Sequence, residues 1–320
     1  MKIAVIGAGS MGKNHIRVLR NIPCVDEIVV SDINPETQTA AVNRFALRKT
    51  YAHHLEMLEK EEPDGVIVAT PPHSHKGIVL DIIAAGIPVL VEKPIAGNIK
   101  DAEEMIAAAD RSGVLLTVGH IERFNPVVTK IKEFIDDGFI DNIYLVNTHR
   151  IGPFPKRLLG NVEGVLIDLA VHDFDIINYL VGKIQSIQSQ IIRSGKQEIY
   201  VKTLMDLETD IKASSEFSWI SPRMVRCIEI YCEKGMFYGD YFNQEVWFYE
   251  NDDYDNITDN VEPFFCGGLV KSGKVIKYPI YKQEPLLLEL FNFIEAIKGK
   301  EDILVKPREA LISLGNSLQI

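Results

Sequence analysis

Gly7-Ala8-Gly9-Ser10-Met11-Gly12 is the stretch of this chain that decides its fold. The five residues before it alternate as a short buried strand, and those after it, to about Arg20, have the pattern of a helix. Between a strand and a helix, the first glycine makes a tight turn, the second admits a pyrophosphate and the third allows helix–strand packing. The free N–H groups at the start of the helix favour an anion. The stretch predicts a dinucleotide site lined by Gly7, Gly9, Ser10, Met11 and Gly12.

A carboxylate follows at the end of the next predicted strand, Glu27–Ser31. Asp32 comes about 20 residues after the last glycine of the motif, where an acid accepts hydrogen bonds from the ribose hydroxyls. Its charge repels a 2′-phosphate, and no arginine follows directly, since Ile33 and Asn34 come next. The sequence therefore predicts NAD rather than NADP.

Strands and helices continue to alternate through the first 120 or so residues, which predicts a doubly wound parallel (Rossmann) sheet. We expect helices over 52–61, 77–85 and 101–111, the last capped by Asp101, and strands over 65–70 and 114–118. Thr70 and Pro71 end one strand near the point where the strand order reverses. We therefore expect both residues to line the cofactor cleft.

The strand that starts at Ile87 ends in Glu92-Lys93-Pro94. Pro94 disfavours a helical conformation of Lys93 and ends the strand pairing, so Lys93 is presented at the carboxyl end of a strand, where α/β sheets bind ligands. Taken alone, this stretch favours an ordinary exposed lysine at a strand-to-loop turn. We expect Glu92 to position the turn or to contact the cofactor.

The second half of the chain is dominated by strands joined by short polar turns, which predicts an α+β domain on a large, mostly antiparallel open sheet. The predicted domains are 1–122 and 123–320, with a last helix at about 307–320 that packs back on the first domain. Helices would cover one face of this sheet. The other face would be exposed to solvent or form a subunit interface. We favour the interface, which predicts a homodimer or homotetramer.

One helical insert, 166–177, carries polar residues on an otherwise apolar helix. Asp168, His172 and Asp175 are spaced to share one stripe. A salt-bridged surface histidine is one interpretation, and a histidine oriented by carboxylates for general base catalysis is the other. Upstream, the loop Arg150–Arg157 is basic and stiffened by proline. It would either recognise phosphate or carboxylate, or be an ordinary surface loop.

The composition is that of a soluble globular protein, with 46% hydrophobic and 25% charged residues. A net charge of −11 argues against binding of nucleic acid or of an anionic membrane. The four cysteines show no metal-ligand spacing, so we expect reduced thiols in a cytoplasmic protein and no metal. His73 and His75 are expected to face solvent or cap a helix, with His75 near the nicotinamide. His15, His53 and His54 are assigned no role.

The glycine motif, Glu92-Lys93-Pro94 and Asp168-x-x-x-His172 together resemble the Gfo/Idh/MocA oxidoreductases over nearly the whole chain. The resemblance implies an enzyme of the EC 1.1.1 type that oxidises a secondary hydroxyl of a sugar, cyclitol or sugar nucleotide with NAD(P). It implies that Lys93 hydrogen-bonds the reacting hydroxyl and His172 takes its proton. Asp168 would orient the substrate or His172.

Within the family, the stretches 119–126 and 150–155 resemble UDP-N-acetylglucosamine 3-dehydrogenases, which oxidise the sugar 3-hydroxyl. That resemblance implies substrate contacts from Arg123, Arg150 and Arg157. Two other hypotheses stay open: a dehydrogenase of a free sugar or inositol, and a non-catalytic NAD-binding regulator.

Overall fold

The computed structural model describes residues 1–155, 164–251 and 273–320. The chain divides into two compact units. The first comprises Met1–Phe124 and Gln283–Gln319, and the second comprises Asn125–Lys282 with Ile320.

The first unit is built on a six-stranded parallel sheet in the order β3-β2-β1-β4-β5-β6. Its strands are β1 (Lys2–Ile6), β2 (Glu27–Ser31), β3 (Thr50–Tyr51), β4 (Gly65–Val68), β5 (Val89–Glu92) and β6 (Leu116–Gly119). Its helices are α1 (Ser10–Leu19), α2 (Pro35–Phe45), α3 (His54–Glu61), α4 (Pro72–Ala84), α5 (Ile99–Ser112), α8 (Pro285–Ile297) and α9 (Pro307–Leu318). A single 3-10 turn, Ile121–Phe124, follows β6. The strand order reverses between β1 and β4, which confirms the predicted doubly wound sheet.

Both faces of this sheet are buried because alternate side chains of each strand enter two separate hydrophobic clusters. Ala4 and Ile6 of β1 pack into one cluster, and Ile3 and Val5 pack into the other. Helix α9 packs against α5 and β6 within the unit. This two-sided burial explains why the strands are short continuous apolar runs.

The sequence misplaces several local features of the first unit. Helix α2 was not predicted, and α4 begins at Pro72, five residues before the predicted Gly77. Helix α5 is capped by Asn98 and not by Asp101: the Asn98 side chain accepts a hydrogen bond from the Asp101 N–H at 2.9 Å. Asp101 instead pairs with Lys76 at 2.9 Å. The capping residue therefore lies three positions earlier, and the acid supports the first turn.

The second unit is built on an eight-stranded sheet in the order β14-β13-β12-β11-β7-β10-β9-β8. Its strands are β7 (Ile143–Pro153), β8 (Ile184–Ser194), β9 (Gln197–Leu207), β10 (Lys212–Ser218), β11 (Ile220–Cys232), β12 (Gly235–Asp240), β13 (Glu245–Glu250) and β14 (Val275–Tyr278). Helices α6 (Pro126–Asp136) and α7 (Val171–Val181) contribute Val127, Ile131 and Phe174 to the same hydrophobic cluster as the inward side chains of the strands. The large, mostly antiparallel sheet with helices on one face is therefore confirmed.

Two details of the second unit differ from the expectation. Strands β7 and β10 pair in parallel, so the sheet is not a continuous antiparallel meander. The hairpins β8–β9–β10 join one side of β7 and β11 joins the other, which makes β7 a central strand. The predicted helix 166–177 begins with a π-helical turn, Leu166–Ala170, before α7.

Among the residues that the structure describes, no helix is long and apolar enough to cross a membrane.

Candidate functional site

The turn between β1 and α1 has the geometry of a dinucleotide cradle. Gly7 has a φ of +90°, and a Cβ there would lie 2.7 Å from the Ala69 carbonyl oxygen. A Cβ on Gly12 would lie 1.8 Å from the Gly7 carbonyl oxygen, so no other residue fits without backbone movement. Gly9 is exposed, its added Cβ would meet nothing within 4 Å, and it is the N-cap of α1. A glycine N-cap has no side chain to satisfy the first N–H groups of the helix, which leaves them for an anion such as a pyrophosphate.

Asp32 fixes the end of β2 against this turn. Its Oδ2 accepts a hydrogen bond from the Ala8 N–H at 2.7 Å, and its Oδ1 accepts one from the Asn34 N–H at 2.8 Å. Each carboxylate oxygen can accept a second hydrogen bond, and the side chain is half-buried. The position suits a carboxylate that also binds ribose hydroxyls, so these residues fit the predicted cofactor.

His75 links the ends of two neighbouring strands. Its side chain is fully buried, with Nε2 2.8 Å from the Thr70 carbonyl oxygen and Nδ1 3.1 Å from that of Pro94. Burial lowers the pKa of His75, and the hydrogen bonds to these carbonyls offset part of that decrease. The expectation that His75 faces solvent or caps the helix is wrong, because the ring joins the turn after β4 to the turn after β5. His73 is exposed, as expected, and a contact between His75 and the nicotinamide stays a prediction.

The Glu92-Lys93-Pro94 turn lies on the carboxyl edge of the sheet, where β5 ends. Glu92 is 7% exposed; its Oε1 lies 2.7 Å from His15 Nε2 and its Oε2 accepts a hydrogen bond from the Lys93 N–H at 3.1 Å. Burial would raise the pKa of Glu92, but the hydrogen bond and charge of His15, with the charge of Lys93, hold it below its ordinary value. Lys93 itself is half-buried. The turn is thus fixed through its glutamate.

In the second unit, Asp168 lies in the π-helical turn and His172 in the first turn of α7. Asp168 is 6% exposed and His172 is half-buried. The π turn widens the spacing from that of the predicted α-helix, so the two side chains are not related by a regular i,i+4 step. Such turns recur at functional sites. Asp175 is 1% exposed, on the interior side of α7.

Two of the three arginines predicted to contact a substrate are buried in ion pairs. Arg150 is 2% exposed, and its Nε and Nη2 lie 3.0 and 2.7 Å from Asp173 Oδ1. Arg123, also 2% exposed, pairs with Glu309 of α9 in the first unit. These placements favour a structural role for both, and anion binding by them stays a prediction. Arg157 lies outside the described residues.

No group of three or more His, Cys, Asp or Glu side chains within 1–155, 164–251 and 273–320 is arranged to hold a metal ion.

Comparison with known protein families connects this geometry to a family. Residues 1–120 match the family model described as the oxidoreductase family with an NAD-binding Rossmann fold, GFO_IDH_MocA. Residues 128–238 match the GFO/IDH/MocA C-terminal domain. The chain belongs to the Gfo/Idh/MocA family. The resemblance drawn from the sequence motifs is confirmed.

Individual relatives of this Gfo/Idh/MocA protein differ in what they act on. The rhizopine catabolism protein MocA of Rhizobium meliloti is 33% identical over 190 residues, which cover 57% of this chain and 57% of that protein. The myo-inositol 2-dehydrogenase of Thermotoga maritima is 28% identical over 185 residues, covering 57% of this chain and 55% of the enzyme. These alignments span little more than half the length of the curated relatives.

A solved structure of UDP-N-acetylglucosamine 3-dehydrogenase from Acidithiobacillus ferrooxidans superimposes with a TM-score of 0.83 at 20% identity. It covers 100% of this chain and 96% of that one, and at this identity the likeness shows the fold alone.

Sequence reasoning missed the contact of His15 with the Glu92-Lys93-Pro94 turn of this Gfo/Idh/MocA protein. His15 lies on the apolar face of α1 with Ile16 and Leu19, and it is fully buried. A histidine at a buried helical position needs a hydrogen-bond partner, and that requirement is readable from the periodicity. What the sequence does not reveal is that the partner is Glu92, 77 residues away.

Proposed function

We propose that this protein is an NAD-dependent dehydrogenase that oxidises a secondary hydroxyl of a sugar, specifically the 3-hydroxyl of a UDP-N-acetyl sugar. The observation that carries the proposal is the carboxyl edge of the parallel sheet. There, an open glycine turn, the Asp32 carboxylate and the anchored Lys93 turn follow β1, β2 and β5. Family membership supports an oxidoreductase, and Asp32 supports NAD over NADP.

Bound NAD supplies the hydride acceptor, its nicotinamide ring. The first-turn N–H groups of α1 would hold its pyrophosphate, and Asp32 would accept hydrogen bonds from its ribose. Lys93 Nζ donates a hydrogen bond to the oxygen of the reacting hydroxyl, and its charge stabilises the negative charge that develops there. His172, in its neutral form, accepts the hydroxyl proton, while Asp168 orients His172 or the substrate.

The choice of a nucleotide sugar rests on the stretches 119–126 and 150–155, which resemble those of UDP-N-acetylglucosamine 3-dehydrogenases. A free sugar or inositol is the second candidate, and the identity to myo-inositol 2-dehydrogenase favours it. The exposed side chains Tyr144 and Leu204 on the sheet of the second unit support assembly of a homo-oligomer through that face.

The test is a turnover screen in which UDP-N-acetylglucosamine, free hexoses and inositols are each added with NAD or NADP, and reduced cofactor is followed by absorbance. We expect NADH from the nucleotide sugar. NADH from a free sugar or inositol alone would refute the nucleotide-sugar proposal and support the second candidate. Nucleotide binding without turnover of any substrate would support a non-catalytic regulator.

Two variants separate catalysis from binding. Lys93→Met should lower kcat by about 10²-fold or more, since one donor to a developing oxyanion contributes that much. Its control is Lys100→Met, an exposed lysine of the same unit. His172→Ala should lower turnover most at neutral pH, and its turnover should recover as the pH rises. The control His149→Ala, in the same unit, should not change the pH dependence of turnover. Unchanged rates in Lys93→Met would contradict the assigned role.

A further inference from the structure

The ring of His75 on α4 lies between backbone carbonyl groups of two different turns. Its Nε2 is 2.8 Å from the carbonyl oxygen of Thr70, in the turn after β4 (the Thr70 turn). Its Nδ1 is 3.1 and 3.2 Å from the carbonyl oxygens of Pro94 and Ile95, in the turn after β5 that carries Lys93 (the Lys93 turn). The pairing of β4 with β5 ends before either turn begins, so the ring connects the two strands beyond their ladder.

A neutral imidazole cannot donate a hydrogen bond to both turns. It has one N–H group and one nitrogen that is only an acceptor, and a carbonyl oxygen is also only an acceptor. Hydrogen bonds to both turns therefore need an N–H group on each ring nitrogen, and a ring with two N–H groups carries a positive charge. The side chain is fully buried, so bulk solvent does not replace a bond that is missing.

The distances indicate which bond the neutral ring keeps. The contact at Nε2 is the shortest of the three, at 2.8 Å, and lies within the usual range of an N–H···O bond. A lone pair of Nε2 at this distance would be repelled by the Thr70 oxygen more strongly than a lone pair of Nδ1 at 3.1 and 3.2 Å from its neighbours. The neutral ring therefore carries its N–H at Nε2, and its Nδ1 makes no hydrogen bond to the Lys93 turn.

The surroundings of the ring act on its charge in opposite directions. Helices α3 and α5 and strands β4 and β5 pack against α4, and the sequence of β4 contains no titratable residue. The other three elements bring titratable groups in the pairs Asp101 and Glu104 with Lys76, His54 with Asp81, and Glu92 with His15, and Lys93 follows Glu92. Burial has the largest effect and lowers the pKa of His75, while the three carbonyl groups and the charge of Glu92 offset part of that decrease. The ring is therefore neutral at neutral pH and gains its second proton in acidic solution.

We propose that His75 is a positioning residue for Lys93 and that it acts through its second proton. The neutral ring holds the Thr70 turn alone. The protonated ring, with an N–H at Nδ1, also holds the carbonyl groups of Pro94 and Ile95, and so fixes the Lys93 turn against the Thr70 turn. The catalytic meaning of this contact rests on the proposed function of Lys93, whereas the contact itself does not.

The positions of the protons are tested by NMR of the full chain with isotopically labelled histidine, without substrate. The signals of His75 are assigned from their loss in His75→Gln. At neutral pH we expect one protonated ring nitrogen, Nε2, and in acidic solution two, with a pKa below the ordinary value of a histidine. His73→Gln, at an exposed position of the same helix, is the control and should leave these signals unchanged.

Two results would contradict this assignment. Protonation of Nδ1 alone at neutral pH would show that the neutral ring holds the Lys93 turn and not the Thr70 turn. A ring that gains no second proton before the protein unfolds would show that the proposed contact does not form.

The effect on the Lys93 turn is tested with isotopically labelled carbonyl carbons, whose NMR signals shift when the oxygen accepts a hydrogen bond. In wild type, we expect the signals of Pro94 and Ile95 to shift at the pH at which Nδ1 gains its proton, while that of Thr70 changes little. His75→Gln places an amide N–H group where Nε2 lies, and should lose the acid shift of Pro94 and Ile95. His75→Asn places one where Nδ1 lies, so these two signals should stay at their shifted positions at neutral pH as well. An acid shift in His75→Gln equal to that of wild type would overturn the positioning role.

Neither measurement uses a sugar, so the proposed function and this inference fail separately. A protein that shows both transitions but oxidises no sugar would refute the proposed function alone. A protein that oxidises a sugar, but whose Pro94 and Ile95 signals do not follow the His75 ring, would refute the inference alone. Should the variants fail to fold, the wild-type protein still decides the question, because the ring and carbonyl transitions must have the same midpoint.

Discussion

The buried pair of Arg150 on β7 and Asp173 on α7 ties the sheet of the second unit to its helix layer, and its removal should be costly. Both side chains are at most 2% exposed, and two N–H groups of Arg150 donate to Asp173 Oδ1 at 3.0 and 2.7 Å. The guanidinium also lies 5.8 Å from the centre of the Tyr241 ring. Replacing Asp173 by leucine would leave a buried guanidinium without this carboxylate.

The magnitude follows from the chemistry of the group that is left behind. Breaking a buried ion pair by removing one partner typically costs about 3–5 kcal/mol. A guanidinium cannot escape by losing a proton, whereas a carboxyl group can gain one. We therefore expect Asp173→Leu to lie at the upper end of this range and Arg150→Met at the lower end. The double variant should recover most of the loss, because two apolar side chains leave no buried charge.

Urea unfolding followed by tryptophan fluorescence measures this directly. Trp219 and Trp247 are the two tryptophans of the chain, and both lie in the second unit, so the signal reports on that unit. With an m value of about 3 kcal/mol/M, Asp173→Leu should lower the midpoint by more than about 1 M. Asp141→Asn, which breaks a solvent-exposed pair with Lys234, is the control and should leave the midpoint nearly unchanged.

Two outcomes would refute the reasoning. A midpoint of Asp173→Leu equal to that of wild type would show that the pair carries no stability. A double variant as unstable as the sum of the two single variants would show that the two residues act independently. The double variant also tests Arg150 as a substrate residue: a stable protein with an unchanged KM would remove Arg150 from the anion site.

The remaining predictions concern the first unit. Gly12→Ala should lower both thermal stability and NAD affinity, because its Cβ would lie 1.8 Å from the Gly7 carbonyl oxygen. A Cβ at Gly9 would meet nothing within 4 Å, so Gly9→Ala should lower NAD affinity alone. Equal melting temperatures for the two variants would contradict this prediction. Glu61, whose pKa is held at about 2, stabilises the fold fully above its ordinary pKa, and this stability should be lost as the pH falls towards 2. Circular dichroism against pH should show the loss in wild type and in Glu56→Gln, an exposed control, but not in Glu61→Gln.

The sequence predicts the elements of this protein better than their partners. The residues of β10 alternate in sequence as a strand does. This pattern contains nothing that selects β7 as a parallel neighbour, because alternation determines the face of a side chain and not the adjacent strand. Helix α2 was missed because only Ala41 and Phe45 of it are buried, which leaves almost no apolar periodicity. Its cap was readable, since Asn34 precedes a proline and accepts hydrogen bonds from the next two N–H groups.

The location of Arg150 is predicted better by the alternation of its strand than by the basic residues that follow it in sequence. Its basic neighbours in sequence indicated a loop that either recognises an anion or is an ordinary surface loop. In β7, however, Val146, Thr148 and Arg150 occupy successive inward positions, so the alternation of the strand places the guanidinium in the core. Once it is inside, a buried charge requires a partner. The sequence contained a candidate in Asp173 but no information on the distance between them.

The buried polar groups of the first unit are concentrated under the turns that follow β4 and β5. His75 holds the backbone carbonyls of Thr70 and Pro94, and Glu92 holds His15 and the Lys93 N–H. Burying such groups is unfavourable for stability unless each finds a partner, and apolar side chains would fill the same space without that requirement. What the polar groups add is a fixed backbone at the point where Lys93 leaves the sheet. The proposed catalytic role of Lys93 needs that precision more than the fold needs the stability, so we assign these residues to the proposed site, although we do not expect them to contact a substrate.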